Sequence, residues 1–183
     1  FENNVLDFVG SNDGTATGIT YTAGLVGQTA VYDAITDNVA LNSPTGLSFG
    51  DSTTDTAFSI SFLVKFDTLG LPILICKKDI ATGGIIEYQL DYNAGNLSFA
   101  LFDLSAGNSI KIVESITLTT ANWYHMTVTY DGLGIVGGIN MYVDGILQTP
   151  TPSTSGTYVA MHNTGEPVTI GKNAQSTTRT LDG

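Results

Sequence analysis

Cysteine is nearly absent: Cys76 is the single thiol in 183 residues, so no disulfide can form within the chain. A chain of this kind must be held by packing, whether it comes from a reducing compartment or from a surface protein that never relied on disulfides. Cys76 sits in the apolar run 72–76, PILIC, where a buried thiol acts as a small hydrophobe. Positive charge is also scarce. Six Lys and Arg face seventeen Asp and Glu, a formal net charge of −11, and the largest basic cluster is the pair Lys77 and Lys78. Such a surface repels phosphate backbones and anionic bilayers, which excludes nucleic-acid binding and membrane adhesion. The acidity fits attraction of divalent cations, or solubility alone. No stretch approaches the length of a membrane-spanning helix, and no leader pattern is present. The chain opens on Phe1 rather than an initiator Met, and reads as a processed product or a segment of a longer polypeptide.

What is present is a hydrophobic fraction of 42% with 21 Gly and a charged fraction of only 13%. This is enough to fill a core, in a composition suited to strands and turns rather than exposed helices. The length fits one domain over residues 1–183.

The dominant period is two. In FSISFLVKF (58–66), Phe58, Ile60, Phe62, Val64 and Phe66 fall on one face, with Ser59, Ser61 and Lys65 on the other. Tyr88, Leu90 and Tyr92 repeat the pattern, and Leu97, Phe99 and Leu101 follow a turn at 93–96, which predicts a hairpin. Tyr124, Met126, Val128 and Tyr130 alternate with His125, Thr127 and Thr129. Ile139, Met141 and Val143 run into Asp144-Gly145, a two-residue type I′ turn signal. A late strand is predicted at 168–170. Residues 30–41 are expected to form two short strands joined by a turn, and 149–156, TPTPSTSG, a long surface loop. About a dozen short strands without a long helical stretch predict an all-β fold, an antiparallel two-sheet sandwich.

Five segments carry a family resemblance in order: SISFLVKF (59–66), PIL (72–74), LTTANWYHMTVTYDG (118–132), MYVDG (141–145) and VTIG (168–171). Together with FENN (1–4) and DFVGSNDG (7–14), they make the chain resemble the laminin-G-like jelly roll of the concanavalin A-like lectin/glucanase superfamily. The resemblance implies a recognition module that binds a glycan or a protein surface, in an adhesin, a secreted protein or a phage fibre. The alternatives are a structural or decorative module of a virion, filament or other extracellular assembly and, below both, a glycoside hydrolase. An extracellular, cell-surface or virion-surface location follows. Members of the family usually have one more strand before Phe1 and another after Gly183. The resemblance therefore implies sheet edges that another segment, or another copy of the chain, covers.

Hydrolysis of a glycosidic bond needs two carboxyls at a defined separation. Of the four glutamates, Glu2, Glu87, Glu114 and Glu166, none has a second acid two residues away. Glu87 and Asp91 share a strand face at spacing four and are expected to be solvent-facing polar residues. Of the two histidines, His125 in the Trp-Tyr-His strand is expected to be structural or surface-facing, and His162 lies in a loop without a nearby acid or nucleophile signal; no phosphate-loop or dinucleotide fingerprint occurs. The chain is read as a non-enzyme.

The candidate metal site is Asp7, Asn12, Asp13 and the carbonyl of Gly14, a mixture of oxygens suited to Ca²⁺. The resemblance supports calcium there, completed by a ligand from the last strand. The alternative is a hydrogen-bonded Asx turn without metal. Candidate ligand-binding residues are Phe102, Tyr142 and Tyr158, with Asn108 and Asn140 as polar neighbours, because sugars stack on aromatic faces and bond to amides. A glycosylation sequon stands at Asn96-Leu-Ser98, in the predicted hairpin turn.

Overall fold

The computed structural model describes residues 1–42, 45–78, 85–103, 107–172 and 179–183. Its strands are β1 (Gly14–Thr17), β2 (Thr20–Ala23), β3 (Gln28–Val31), β4 (Asn38–Leu41) and β5 (Phe58–Lys65). They continue with β6 (Ile73–Lys78), β7 (Ile86–Asn93), β8 (Asn96–Phe102), β9 (Ser109–Ser115) and β10 (Trp123–Tyr130). After a single 3-10 turn at Val136–Gly138 come β11 (Ile139–Val143), β12 (Ile146–Leu147), β13 (Thr151–Ser155) and β14 (Val168–Ile170). No helix among the described residues is long and apolar enough to cross a membrane.

The strands form an eight-stranded sheet, β1-β4-β14-β6-β7-β8-β9-β13, a four-stranded sheet, β12-β11-β10-β5, and the separate pair β2-β3. All pairings are antiparallel among the described residues. The two larger sheets stack into a sandwich, because each turns one alternating side-chain set inward. Phe66, Val64, Met126, Val128 and Met141 from the small-sheet side meet Leu90, Phe99, Leu101 and Ile112 from the large sheet in one buried cluster. Full burial of each such side chain contributes about 1.5–3 kcal/mol. Aromatic contacts tie the layers together. Phe58 of β5 meets Phe99 of β8 edge-on with ring centroids 6.2 Å apart and Tyr88 of β7 at 5.6 Å, while Phe49 stacks on Phe58 at 4.1 Å.

The predicted turns form as expected. Asp144 (φ +52°) and Gly145 (φ +76°) are both left-handed, the requirement of a type I′ hairpin. Residues 30–41 hold parts of β3 and β4, as the β-branched pattern predicts. Two expectations fail. The stretch 149–156 contains β13, which pairs with β9 and carries Pro152 within it. Proline is tolerated there because β13 is the edge of its sheet, where a strand has no second neighbour to receive an N–H. Glu87 and Asp91 do not face open solvent either.

Glu87 is fully buried against Lys77, whose side chain is also fully buried, at 3.5 Å. Glu87 Oε1 also accepts hydrogen bonds from the Thr164 N–H (2.5 Å) and Oγ1 (2.8 Å), while Lys77 Nζ donates to the Glu166 carbonyl. Burial pushes the Glu87 carboxyl up and the Lys77 ammonium down, and each charge partly offsets the other's shift. The pair pins residues 164–166 to the junction of β6 and β7.

A second polar clamp closes one end of the sandwich. Asp55 Oδ2 accepts from the hydroxyls of Tyr130 and Tyr158, each at 2.7 Å, and Oδ1 accepts from the Met161 N–H at 2.8 Å. Burial, followed by the Asp55 carboxylate, pushes both phenols above their ordinary range.

Candidate functional site

The outer face of the eight-stranded sheet carries a polar groove. In β7, β8 and β9, residues Tyr88, Leu90, Leu97, Phe99, Ile110 and Ile112 point to the core, so Gln89, Asp91, Ser98 and Lys111 take the opposite phase. Antiparallel register sets Asp91 beside Ser98 and places Ala100 between Gln89 and Lys111. Asp91 Oδ1 accepts from the Ser98 hydroxyl at 2.5 Å, and Oδ2 from Gln89 Nε2 at 2.5 Å and from Arg179 at 2.8 Å. The Arg179 guanidinium is held in turn by the Leu71 carbonyl, 3.2 Å from Nε. Asp91 is only 8% exposed, so its carboxylate is held by fixed donors rather than by water.

Asp91, Ser98 and Arg179 line a cavity of about 410 Å³, together with Asn93 and Asn96 from the hairpin turn and with Lys111. Lys111 has no ion-pair partner among the described residues. One acid and two bases give the groove a local positive balance on a chain of net charge −11. Asp91 is the single carboxylate in its lining, so two-acid hydrolysis has no second partner there among the described residues.

The predicted ligand-binding residues are dispersed. Phe102 ends β8, half-buried and by alternation on the same face as Ser98, beyond the groove. Asn108 is a staple: its Oδ1 accepts from the Thr157 N–H at 3.1 Å, and a Cβ on Gly156 would come within 1.8 Å of that oxygen. Tyr158 commits its hydroxyl to Asp55. Asn140 and Tyr142 do come together, on the outer face of the four-stranded sheet opposite Thr129 and Thr127. The groove itself was missed. The phase of Gln89, Asp91 and Ser98 is visible in the alternation, but nothing local connects Arg179 to Asp91 across 88 residues.

The loop from Asp7 to Gly14 is closed by its own amides. Asp7 Oδ1 accepts from the N–H groups of Val9 (2.9 Å) and Gly10 (3.0 Å). Its Oδ2 accepts from the Asn12 N–H (3.0 Å) and Nδ2 (3.1 Å). Asp13 Oδ1 accepts from the Asp7 N–H at 2.8 Å, and Gly14 begins β1 with its N–H on the Val5 carbonyl at 2.7 Å. The Val9, Asn12 and Gly10 amides hold the Asp7 carboxyl down to about 2. Calcium takes six to eight oxygens, typically, and here both oxygens of the key carboxylate are each engaged by two N–H donors. This is the hydrogen-bonding arrangement of an Asx-type loop.

Both histidines meet a serine, which the sequence did not indicate. Ser61 Oγ lies 2.7 Å from His125 Nε2 and 2.9 Å from Thr127 Oγ1, on the exposed face of the small sheet. Ser52 Oγ lies 2.7 Å from His162 Nδ1, with Ser52 at φ +74°. A nucleophile relay also needs an acid on the second ring nitrogen. Asp144 bonds the main-chain N–H of His125 instead of its ring, and no carboxylate hydrogen-bonds either imidazole among the described residues.

Comparison with known proteins bears on the fold. A structure of the mouse laminin alpha1 chain, domains LG4-5, superposes with a TM-score of 0.52 at 13% identity, covering 88% of this chain and 42% of that one. The chain thus spans less than half of that laminin structure. The conserved carbohydrate esterase from Shiga toxin-encoding bacteriophage phi24B matches with a TM-score of 0.48 at 11% identity, covering 92% of this chain and 84% of that one. No curated protein matches. A laminin G family profile, described as the Concanavalin A-like lectin/glucanases superfamily, matches residues 33–183. With the two-sheet jelly roll and its antiparallel registers, that match identifies the chain as a member of the Concanavalin A-like lectin/glucanases superfamily.

Proposed function

We propose that this domain is a non-catalytic recognition module that binds a glycan segment in the groove around Asp91 and Arg179. It would serve as part of an extracellular, cell-surface or virion-surface protein. The observation that carries this reading is the carboxylate held by three donors in a concave polar cavity with amides at its rim. A sugar ring offers vicinal hydroxyls that both donate and accept. A fixed acid, a guanidinium and two asparagine side chains supply the complementary partners without rearrangement. A single acid suits binding and leaves bond cleavage without its second carboxyl.

The test is a glycan-array screen followed by titration of the best ligand against Asp91→Asn and Lys111→Gln. Loss of one hydrogen bond to a charged group costs about 1.5–3 kcal/mol, or roughly 10- to 150-fold in affinity. Both variants are expected to weaken binding on that scale, while Tyr142→Ala, on the opposite outer face, leaves it unchanged. Unaltered affinity in Asp91→Asn would remove the groove from the account. Binding lost in Tyr142→Ala alone would transfer the site to the small sheet.

A further inference from the structure

Lys77 and Glu87 form the one ion pair among the described residues in which both side chains are fully buried. Strand register puts them there. Lys77 pairs with Tyr88 on one side and Val168 on the other, and both belong to the core cluster, so its side chain takes the inward phase. Glu87 is the extra residue of a β-bulge. The register steps from Lys77 opposite Tyr88 to Lys78 opposite Ile86 and leaves Glu87 without a strand partner. A bulge re-aims a side chain, and this carboxyl meets the amine at 3.5 Å.

The two oxygens of that carboxyl are unlike. Oε1 accepts from the Thr164 N–H at 2.5 Å, from the Thr164 hydroxyl at 2.8 Å and from the Ser48 hydroxyl at 3.4 Å. Oε2 is buried without a hydrogen-bond partner among the described residues. A bare carboxylate oxygen in the interior is costly, and the cost disappears if that oxygen leaves. The amine has its own anchor, the Glu166 main-chain carbonyl, to which Lys77 Nζ donates.

We infer that Lys77 and Glu87 condense to an intramolecular amide, a covalent cross-link between β6 and β7. Nζ attacks Cδ, and the developing negative charge falls on Oε1, which the Thr164 and Ser48 donors already hold. The Nζ–Cδ bond forms as the Cδ–Oε2 bond breaks. Oε2 departs as water with two protons from the ammonium, so one positive and one negative charge vanish together. No oxidant or co-reactant is needed. Burial favours the reactive uncharged amine and acid, because it pushes the Lys77 ammonium down and the Glu87 carboxyl up. Fixed proximity supplies the rest, since well-oriented groups react as if at about 10⁵–10⁸ M. An ion pair leaves Oε2 unexplained, whereas the amide has no such oxygen. The link gives a chain with a single cysteine a covalent staple of its own. Neither residue lines the polar groove, and the inference does not depend on the glycan reading.

The test is the intact mass of the folded chain, read after denaturation. The expected mass is that of the sequence less one water, and fragmentation of a protease digest should show a branch joining Lys77 to Glu87. Lys77→Met and Glu87→Ala should each carry the full mass of their sequences. A succinimide at an Asp-Gly step such as Asp144-Gly145 also loses one water, but hydroxylamine cleaves it and spares an amide. A wild-type chain that folds and keeps its full mass on prolonged incubation overturns the inference. So does a water loss that persists in Lys77→Met or maps to another pair. If either variant fails to fold, the position of the branch in the wild-type digest decides alone.

Discussion

The polar groove and an apolar slot beside β5 have nearly the same volume, about 410 and 400 Å³, yet they are lined by groups of opposite character. The reason lies in the pleat. The groove collects outward-phase residues of β7, β8 and β9, where Asp91, Ser98 and Lys111 face away from the core. The slot collects inward-phase residues, Ile60, Phe62 and Val64, at a place where the second layer does not fully cover them. Cavity size is therefore no guide to ligand class in this fold. The side of the sheet from which the cavity is lined decides it.

Breaking the buried pair between β6 and β7, strands that contribute to one cavity each, has the largest expected effect. Glu87→Ala removes the carboxylate 3.5 Å from the buried Lys77 ammonium and frees residues 164–166, at a cost of about 3–5 kcal/mol. Urea unfolding should show that loss, and a change below about 1 kcal/mol would mean that the pair relaxes into water.

The next substitution separates the regions. Leu74→Ala enlarges the slot and should cost roughly 2–5 kcal/mol by cavity formation, with glycan affinity retained in the protein that remains folded. Equal loss of glycan binding would couple the two cavities and break the contrast between them.

The converse change is smaller. Asp91→Asn removes the charge that orients Arg179 and Gln89, at a stability cost of about 1–3 kcal/mol read by urea unfolding, while the packing of the slot is untouched.

The smallest effect belongs to a region in neither cavity. The Asp7 carboxyl is held below its unfolded value of 3.8, at about 2, so the stability of its loop is present above pH 4 and lost as the pH falls through 2. Asp7→Asn should flatten that acid limb in pH-dependent melting. Millimolar calcium should leave the melting temperature unchanged, and a rise would assign the loop a metal, because a ligand bound only by the folded state must stabilise it.

How much was legible depended on sequence distance. The hairpin of β7 and β8, the Asp144-Gly145 turn and the inward set of β5 were readable, because alternation and turn chemistry are properties of a few adjacent residues. β13 was hidden because its all-exposed Thr, Pro and Ser pattern has no buried face to betray it; pairing with β9 alone makes it a strand. Glu87 looked like a surface acid because its partners, Lys77 and Thr164, stand 10 and 77 residues away. Among the proposed ligand residues, Asn108 and Tyr158 were read as free polar and aromatic groups, and only the folded chain reveals that Thr157 and Asp55 occupy them.

The sequence by itself determined an all-β sandwich of the laminin G type. Period-two apolar patterning, scarce charge and left-handed turn residues leave the chain few other ways to bury its core. Only the tertiary structure decided where ligands could be held, because register brought Ser98 opposite Asp91 and a remote Arg179 reached across to that carboxylate. Local preference acts over a few residues, whereas a cavity needs surfaces that meet across the whole chain.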